Sequence, residues 1–229
     1  GIGPEIILKS VVETKLNHFV VFGDSLVFDS LIKNLRLPFT INKISEISEA
    51  VFEEGYINLF ETSKLNYLPH YGRISKECGK VSFDAIIKSI ELAKQGKVSG
   101  IVTAPISKKA LNLAHINYPG HTEILAGYSN NKAVSMMLLN KHIKTVLVTL
   151  HCSMKQALDR ITIQNELDAI INANLGCKLF GIEKPVIAVA ALNPHAGENG
   201  LFGNEEKNII EPAIKSVSYT HLTLPTNDQ

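Results

Sequence analysis

The sequence predicts an α/β protein with a largely parallel sheet, on three observations. Short β-branched runs such as His18 to Gly23, Val98 to Thr103 and Val186 to Leu192 alternate with segments of helical periodicity. Most connections between them are long enough to cross over a sheet. One pair of apolar runs, 133–139 and 144–150, is close enough in sequence to form a hairpin, which makes the expected sheet mixed.

The elements follow in order. Pro4 suits a first helical position and Glu5 the positive end of the helix dipole, so Ile6 to Val12 reads as a helix after a glycine turn. His18 to Gly23 reads as a strand, with Asp24 capping a helix to about Asn34. Residues 39–80 are less regular: Ile57 to Phe60 reads as a strand, and Asn66 to Gly79, with Pro69 and Gly72, as loop. From Val81 onward Phe83, Ile86, Ile87, Ile90 and Ala93 give one apolar helical face. Val98 to Thr103 is the next expected strand, followed by Pro105 and a short helix with Lys108 and Lys109. Tyr118-Pro119-Gly120 turns into a helix opened by His121, Thr122 and Glu123. After the hairpin, Ile161 to Phe180 is expected to be helical, with Ile163, Leu167, Ile170 or Ile171, and Leu175 on one side. Val186 to Leu192 then leads through the glycine-rich stretch Asn193 to Gly203 into an amphipathic segment opened by Glu205 and Glu206.

Composition bounds the function. The chain has 229 residues, 45% hydrophobic and 20% charged, with a net charge of +1. That balance gives no reason to expect nucleic acid or a membrane surface as partner. No apolar run is long enough to span a bilayer. Cys78, Cys152 and Cys177 show no paired spacing, which fits a reducing, cytoplasmic setting without a disulfide framework. Cys152 reads either as a small apolar side chain or, beside His151, as a ligand or nucleophile.

The chemistry-bearing residues are histidines in turns. His151 follows the run ending at Leu150, His195 follows the run ending at Leu192, and His121 follows Pro119-Gly120. Strand-end loops converge in open α/β sheets, so two imidazoles there could share a divalent metal. The plain alternative for the His195 stretch is a glycine-rich loop whose histidine bonds only to the backbone. No third ligand is evident. Asp84, Asp168, Lys108 and Lys109 read as solvated. No GxGxxG, Walker or GxSxG element is present.

Five stretches together carry more than any one: Gly1-Ile2-Gly3-Pro4-Glu5, Thr103-Ala104-Pro105-Ile106-Ser107-Lys108, Tyr118-Pro119-Gly120-His121-Thr122-Glu123, Thr149-Leu150-His151, and Asn193 to Glu206. In this order they resemble the NAD-dependent 4-hydroxythreonine-4-phosphate dehydrogenases of vitamin B6 biosynthesis. The resemblance implies an isopropylmalate-dehydrogenase-like fold of two interleaved lobes, with the active site in the cleft, and a homodimer. It implies NAD (or NADP) bound without the usual fingerprint, and a divalent metal, with zinc expected ahead of magnesium or cobalt. By motif position His151 and His195 look like two of the three metal histidines, and His121 and Thr122 like the pair contacting the substrate near its phosphate. The implied reaction is oxidation and decarboxylation of 4-phosphooxy-L-threonine. The wording Glu198 to Gly203 also looks like a sister group acting on 4-phospho-D-threonate or D-erythronate. The superfamily further includes phosphate acyltransferases, against which the histidines at 151 and 195 speak. The family chain continues past residue 215 with the third metal histidine, contributed across the dimer, and the residues that grip the phosphate. Ser216 to Gln229 does not align with that continuation, and His221 within it is not assigned as a ligand. The expectation is therefore a catalytic region over residues 1–215 truncated at both ends, with an unaligned, non-native tail over 216–229, a fragment that could bind metal without turning over.

Overall fold

A computed structural model describes residues 1–129 and 134–218. Ala133 and His221 lie outside them, as does the tail from residue 219. Two compact units follow each other along the chain, Gly1–Asn131 and Lys132–Gln229.

The first unit is built on a parallel sheet. Strands β1 (Val21–Gly23), β2 (Thr40–Ile44) and β3 (Tyr56–Glu61) stand in the order β1-β3-β2, every pairing parallel. β3 is central and buried on both faces, and Ile57 and Leu59 have no exposed surface. Helix α1 (Gly3–Thr14) starts with Pro4 in its first turn, and α2 (Ser25–Asn34) is capped by Asp24, as the sequence predicts. Leu8, Val11, Phe28 and Leu31 from these helices close one core against Val21, Ile57 and Leu59. A second core joins α3 (Lys76–Lys94), α4 (Lys108–Leu113) and α5 (His121–Ser129) through Ile86, Ile90, Leu111 and Ile124.

The second unit holds the hairpin β4 (Met136–Leu139) and β5 (Lys144–Leu147), antiparallel as expected. It forms its own two-stranded sheet rather than extending the parallel one, so among the described residues no single mixed sheet exists. Helices α6 (Met154–Arg160), α7 (Ile163–Leu179) and α8 (Glu211–Ser218) follow, with a π-helical turn at Glu206–Ile210 leading into α8. Ala169 and Ile170 of α7 are buried, as are Ile210, Ala213 and Val217.

Three expectations are corrected. Helix α3 begins at Lys76, capped by Ser75, so Gly79 lies inside a helix and not in a loop. Gly79 is there because the α4 backbone comes so close that a Cβ would sit 2.1 Å from the Ala110 carbonyl oxygen. The runs 98–103 and 186–192 are not strands. Both have strand composition, but a strand also needs a hydrogen-bonded neighbour, and the described residues provide none. Val102 is fully exposed and Val186 is 77% exposed. On α7, Ile163, Ile171 and Leu175 are exposed, and the buried face runs through Glu166, Ala169 and Ile170. Among the described residues no helix is long and apolar enough to cross a membrane.

Candidate functional site

In the first unit, three of the singled-out stretches meet. The start of α1 packs onto the segment before α4, since an ideal Cβ on Gly3 would lie 3.2 Å from the Ala104 Cβ. Ser107 caps α4 by accepting a hydrogen bond from the Ala110 N–H at 3.3 Å. His121 opens α5 and hydrogen-bonds the Ala104 backbone. Burial pushes the His121 imidazole below its ordinary pKa, partly offset by that Ala104 bond, so the ring is neutral at neutral pH. Its Nε2 is buried and has no hydrogen-bond partner. A buried ring nitrogen left in this way is costly unless a ligand or water engages it. Thr122, half-buried, sits beside it in the first turn of α5, where free backbone N–H groups favour an anion.

The second unit carries the other two histidines on separate loops. His151 is exposed and lies four residues beyond the end of β5, with a left-handed backbone of φ 49°. Histidine tolerates that region better than most residues, and strain of this sort gathers at functional loops. Just beyond it Ser153 and Gln156 form a capping box that fixes the start of α6. Cys152, between His151 and Ser153, is half-buried and unpaired by disulfide.

His195 stands at the mouth of an unusual turn. Ala196, Gly197, Glu198, Asn199 and Gly200 all have positive φ, from 42° to 99°. Each non-glycine residue held in that region costs on the order of 1 kcal/mol, so the turn needs support from its surroundings. Support comes from Glu198 N–H to the His195 carbonyl at 2.9 Å, Phe202 N–H to the Gly197 carbonyl at 3.1 Å, and the Asn193 side chain. The His195 ring lies against Phe202, with centroids 5.0 Å apart, and its Nδ1 is 3.7 Å from a Glu198 carboxylate oxygen. The ring is open to solvent and thus to a ligand, with its side chain 65% exposed.

Sequence reasoning gave no role to Asn193 and read Glu206 only as an acidic residue opening a helix. An asparagine two residues before the histidine is an Asx-turn signal that could have marked Asn193; nothing local marks the reach of Glu206 to Leu192. Lys108 and Lys109 are exposed as expected. Asp84 pairs with Lys80 at 2.8 Å, and Asp168 accepts from Gln164 at 2.8 Å, so both are occupied on helix surfaces.

A divalent metal can be weighed against the donors present. His151 and His195 offer two imidazoles of the right chemistry, both solvent-exposed. Among the described residues no group of three or more His, Cys, Asp or Glu side chains is placed to hold a metal ion. The described residues therefore do not by themselves make up a catalytic metal site of three protein ligands.

Parallel-sheet architecture and turn-borne histidines define an α/β protein of enzyme-like construction, and comparison with known proteins then places it. The profile of the pyridoxal phosphate biosynthetic protein PdxA family matches residues 15–225. The chain belongs to that family. It is 48% identical over 215 residues to a 4-hydroxythreonine-4-phosphate dehydrogenase of Beijerinckia indica, covering 93% of this chain and 64% of that relative. It is 39% identical over 220 residues to a protein of Fusobacterium nucleatum provisionally named D-threonate 4-phosphate dehydrogenase, covering 94% and 66%. The crystal structure of a 4-hydroxythreonine-4-phosphate dehydrogenase from Burkholderia phymatum superposes with a TM-score of 0.87 at 33% identity, over 99% of this chain and 70% of that one. The chain thus spans a little under two thirds of the length of the curated relatives it matches.

Proposed function

We propose that the chain serves a metal- and NAD-dependent dehydrogenase that oxidises and decarboxylates 4-phosphooxy-L-threonine in pyridoxal phosphate biosynthesis. The observation that carries this is the 48% identity to a relative named for that activity, across nearly the whole chain. In this reading the neutral His121 and Thr122, at the start of α5, receive the substrate's phosphate end. The orphaned His121 Nε2 supports that role, as does the general tendency of a helix's first-turn N–H groups to favour an anion. His151 and His195 are donors to a divalent ion, zinc foremost. When bound, that ion would supply Lewis acidity at the substrate's hydroxyl oxygen, and NAD would accept the hydride from the carbon that bears it. His195 is kept within reach of a ligand by the left-handed turn, and Phe202 limits the swing of its ring. An isopropylmalate-dehydrogenase-like arrangement of lobes and a homodimeric assembly belong to the same proposal.

A second reading has its own support. The 39% identity to a protein named for D-threonate 4-phosphate favours a substrate without the amino group. Both substrates share the phosphate end, and so the roles of His121 and Thr122.

NADH formation followed by absorbance on a full-length parent, with metal added, separates them. Turnover of 4-phosphooxy-L-threonine supports the first reading, and turnover of 4-phospho-D-threonate alone moves the protein to the second. NADH from neither substrate would overturn both.

A further inference from the structure

The turn bearing His195 is held from two sides by groups to which nothing so far gives a function. Asn193 spends its side chain on the loop's own backbone. Its Oδ1 accepts from the His195 N–H at 2.9 Å and from the Gly197 N–H at 3.4 Å, and its Nδ2 donates to the Phe202 carbonyl at 3.3 Å. Glu206 approaches from below. Its Oε1 accepts at 3.0 Å from the N–H of Leu192, the residue before Asn193 at the start of the loop. Its Oε2 is buried and unpartnered, and it lies where a Cβ on Gly197 would be only 2.8 Å away. The carboxylate therefore packs directly under the left-handed segment. Glu206 can reach this place because it opens the π-helical turn Glu206–Ile210, a widened turn of the sort often kept at functional sites. Ile210 at the far end of that turn is buried and anchors it.

We propose that Asn193 and Glu206 are positioning residues for His195, a two-point clamp that maintains the left-handed Ala196–Gly200 turn and so fixes where the imidazole stands. Asn193 sets the local chain direction at His195, and Glu206 ties the entrance of the turn to the helix that follows it. The clamp itself is a statement about this loop. Its consequence for metal binding rests on the reading of His195 given under Proposed function.

Amide hydrogen exchange by NMR on the purified chain tests the clamp. The Leu192, His195 and Gly197 amides are expected to exchange more slowly than in an unstructured chain. Glu206→Ala should speed exchange at Leu192 by about tenfold, the loss of one net hydrogen bond, and Asn193→Ala should do the same at His195 and Gly197. Glu206→Gln keeps an Oε1 acceptor and should restore the Leu192 protection, which a general loss of packing would not allow. Amides in α7 serve as the fold control. Unprotected amides at these positions in the native chain would overturn the clamp even if the alanine variants failed to fold. So would alanine variants that exchange like the parent. Cobalt(II) titration of the full-length parent, read by its visible absorption, tests the consequence. Asn193→Ala should weaken cobalt binding by about 10–100-fold, as expected for a group that orients a ligand, and Asn193→Asp should recover part of it. A loosened loop with unchanged cobalt affinity would leave the clamp standing and remove His195 from the metal site.

Discussion

Replacing Gly79 with alanine is a sharp test of how the first unit is assembled. Gly79 lies inside α3, buried, and an ideal Cβ there would meet the Ala110 carbonyl oxygen at 2.1 Å, its carbon at 2.4 Å and the Leu111 nitrogen at 2.9 Å. All three are backbone atoms of α4 and cannot rotate aside. The helices would have to open from 2.1 Å to the 3.4 Å at which ordinary contact begins. Overpacking of this kind costs about 1–3 kcal/mol, and rigid backbone on the far side puts it at the upper end. Alanine's better helix propensity returns about 0.8–1.0 kcal/mol. The net loss is about 2 kcal/mol, or about 4–8 °C in Tm for a chain of this size. Thermal unfolding by circular dichroism reads it, with two controls. Gly100→Ala has open space around it, and Gly176→Ala in α7 meets only the mobile tip of Met137, so both should stay within about 1 kcal/mol of the parent. Gly79→Ala melting with the controls would refute the close approach of α3 and α4. The effect should also reach the candidate site, because the segment before α4 carries Ala104, on which His121 rests.

Two further predictions concern charge. Glu166 is buried on α7, and burial raises its carboxyl above the ordinary value of 4.5. The unfolded chain loses this proton first as pH rises, so stability is highest below that value and falls as pH climbs through the folded pKa. Glu166→Gln should thus be more stable than the parent at neutral pH, with the gain vanishing in acid; urea unfolding at both pH values checks it, and an equal gain at both would refute it. His121 has the opposite sense: its pKa is lowered from 6.5, so the unfolded chain takes up a proton first on acidification. Stability is complete above 6.5 and is lost as pH falls from there toward the folded pKa. His121→Gln should flatten that part of the curve, and a parent already flat there would contradict the buried, neutral imidazole.

Helices were legible where a cap announced them. Asp24 before α2 and Pro4 in α1 are local signals with a local mechanism, and the hairpin of β4 and β5 follows from the short interval between two apolar runs. Gly79 misled because it reads as a breaker, whereas its absent side chain is demanded by Ala110, which is distant in sequence and on another helix. The runs 98–103 and 186–192 misled for a related reason: β-branched composition records how a residue would fit a sheet, not whether a strand lies beside it. The site divides the same way. His121, His151 and His195 stood out because each follows a turn or an apolar run. The contact of His121 with Ala104 and the reach of Glu206 to Leu192 depend on packing across elements, which no short pattern encodes.

The most direct test of the account is metal dependence of NADH formation in the full-length parent, stripped by chelator and then titrated with zinc, beside His151→Ala and His195→Ala. The account predicts that zinc restores turnover in the parent, and that each variant loses more than the about 10–100-fold typical of an outer-sphere partner. Variants as active as the parent, or a stripped parent that needs no metal, would contradict it.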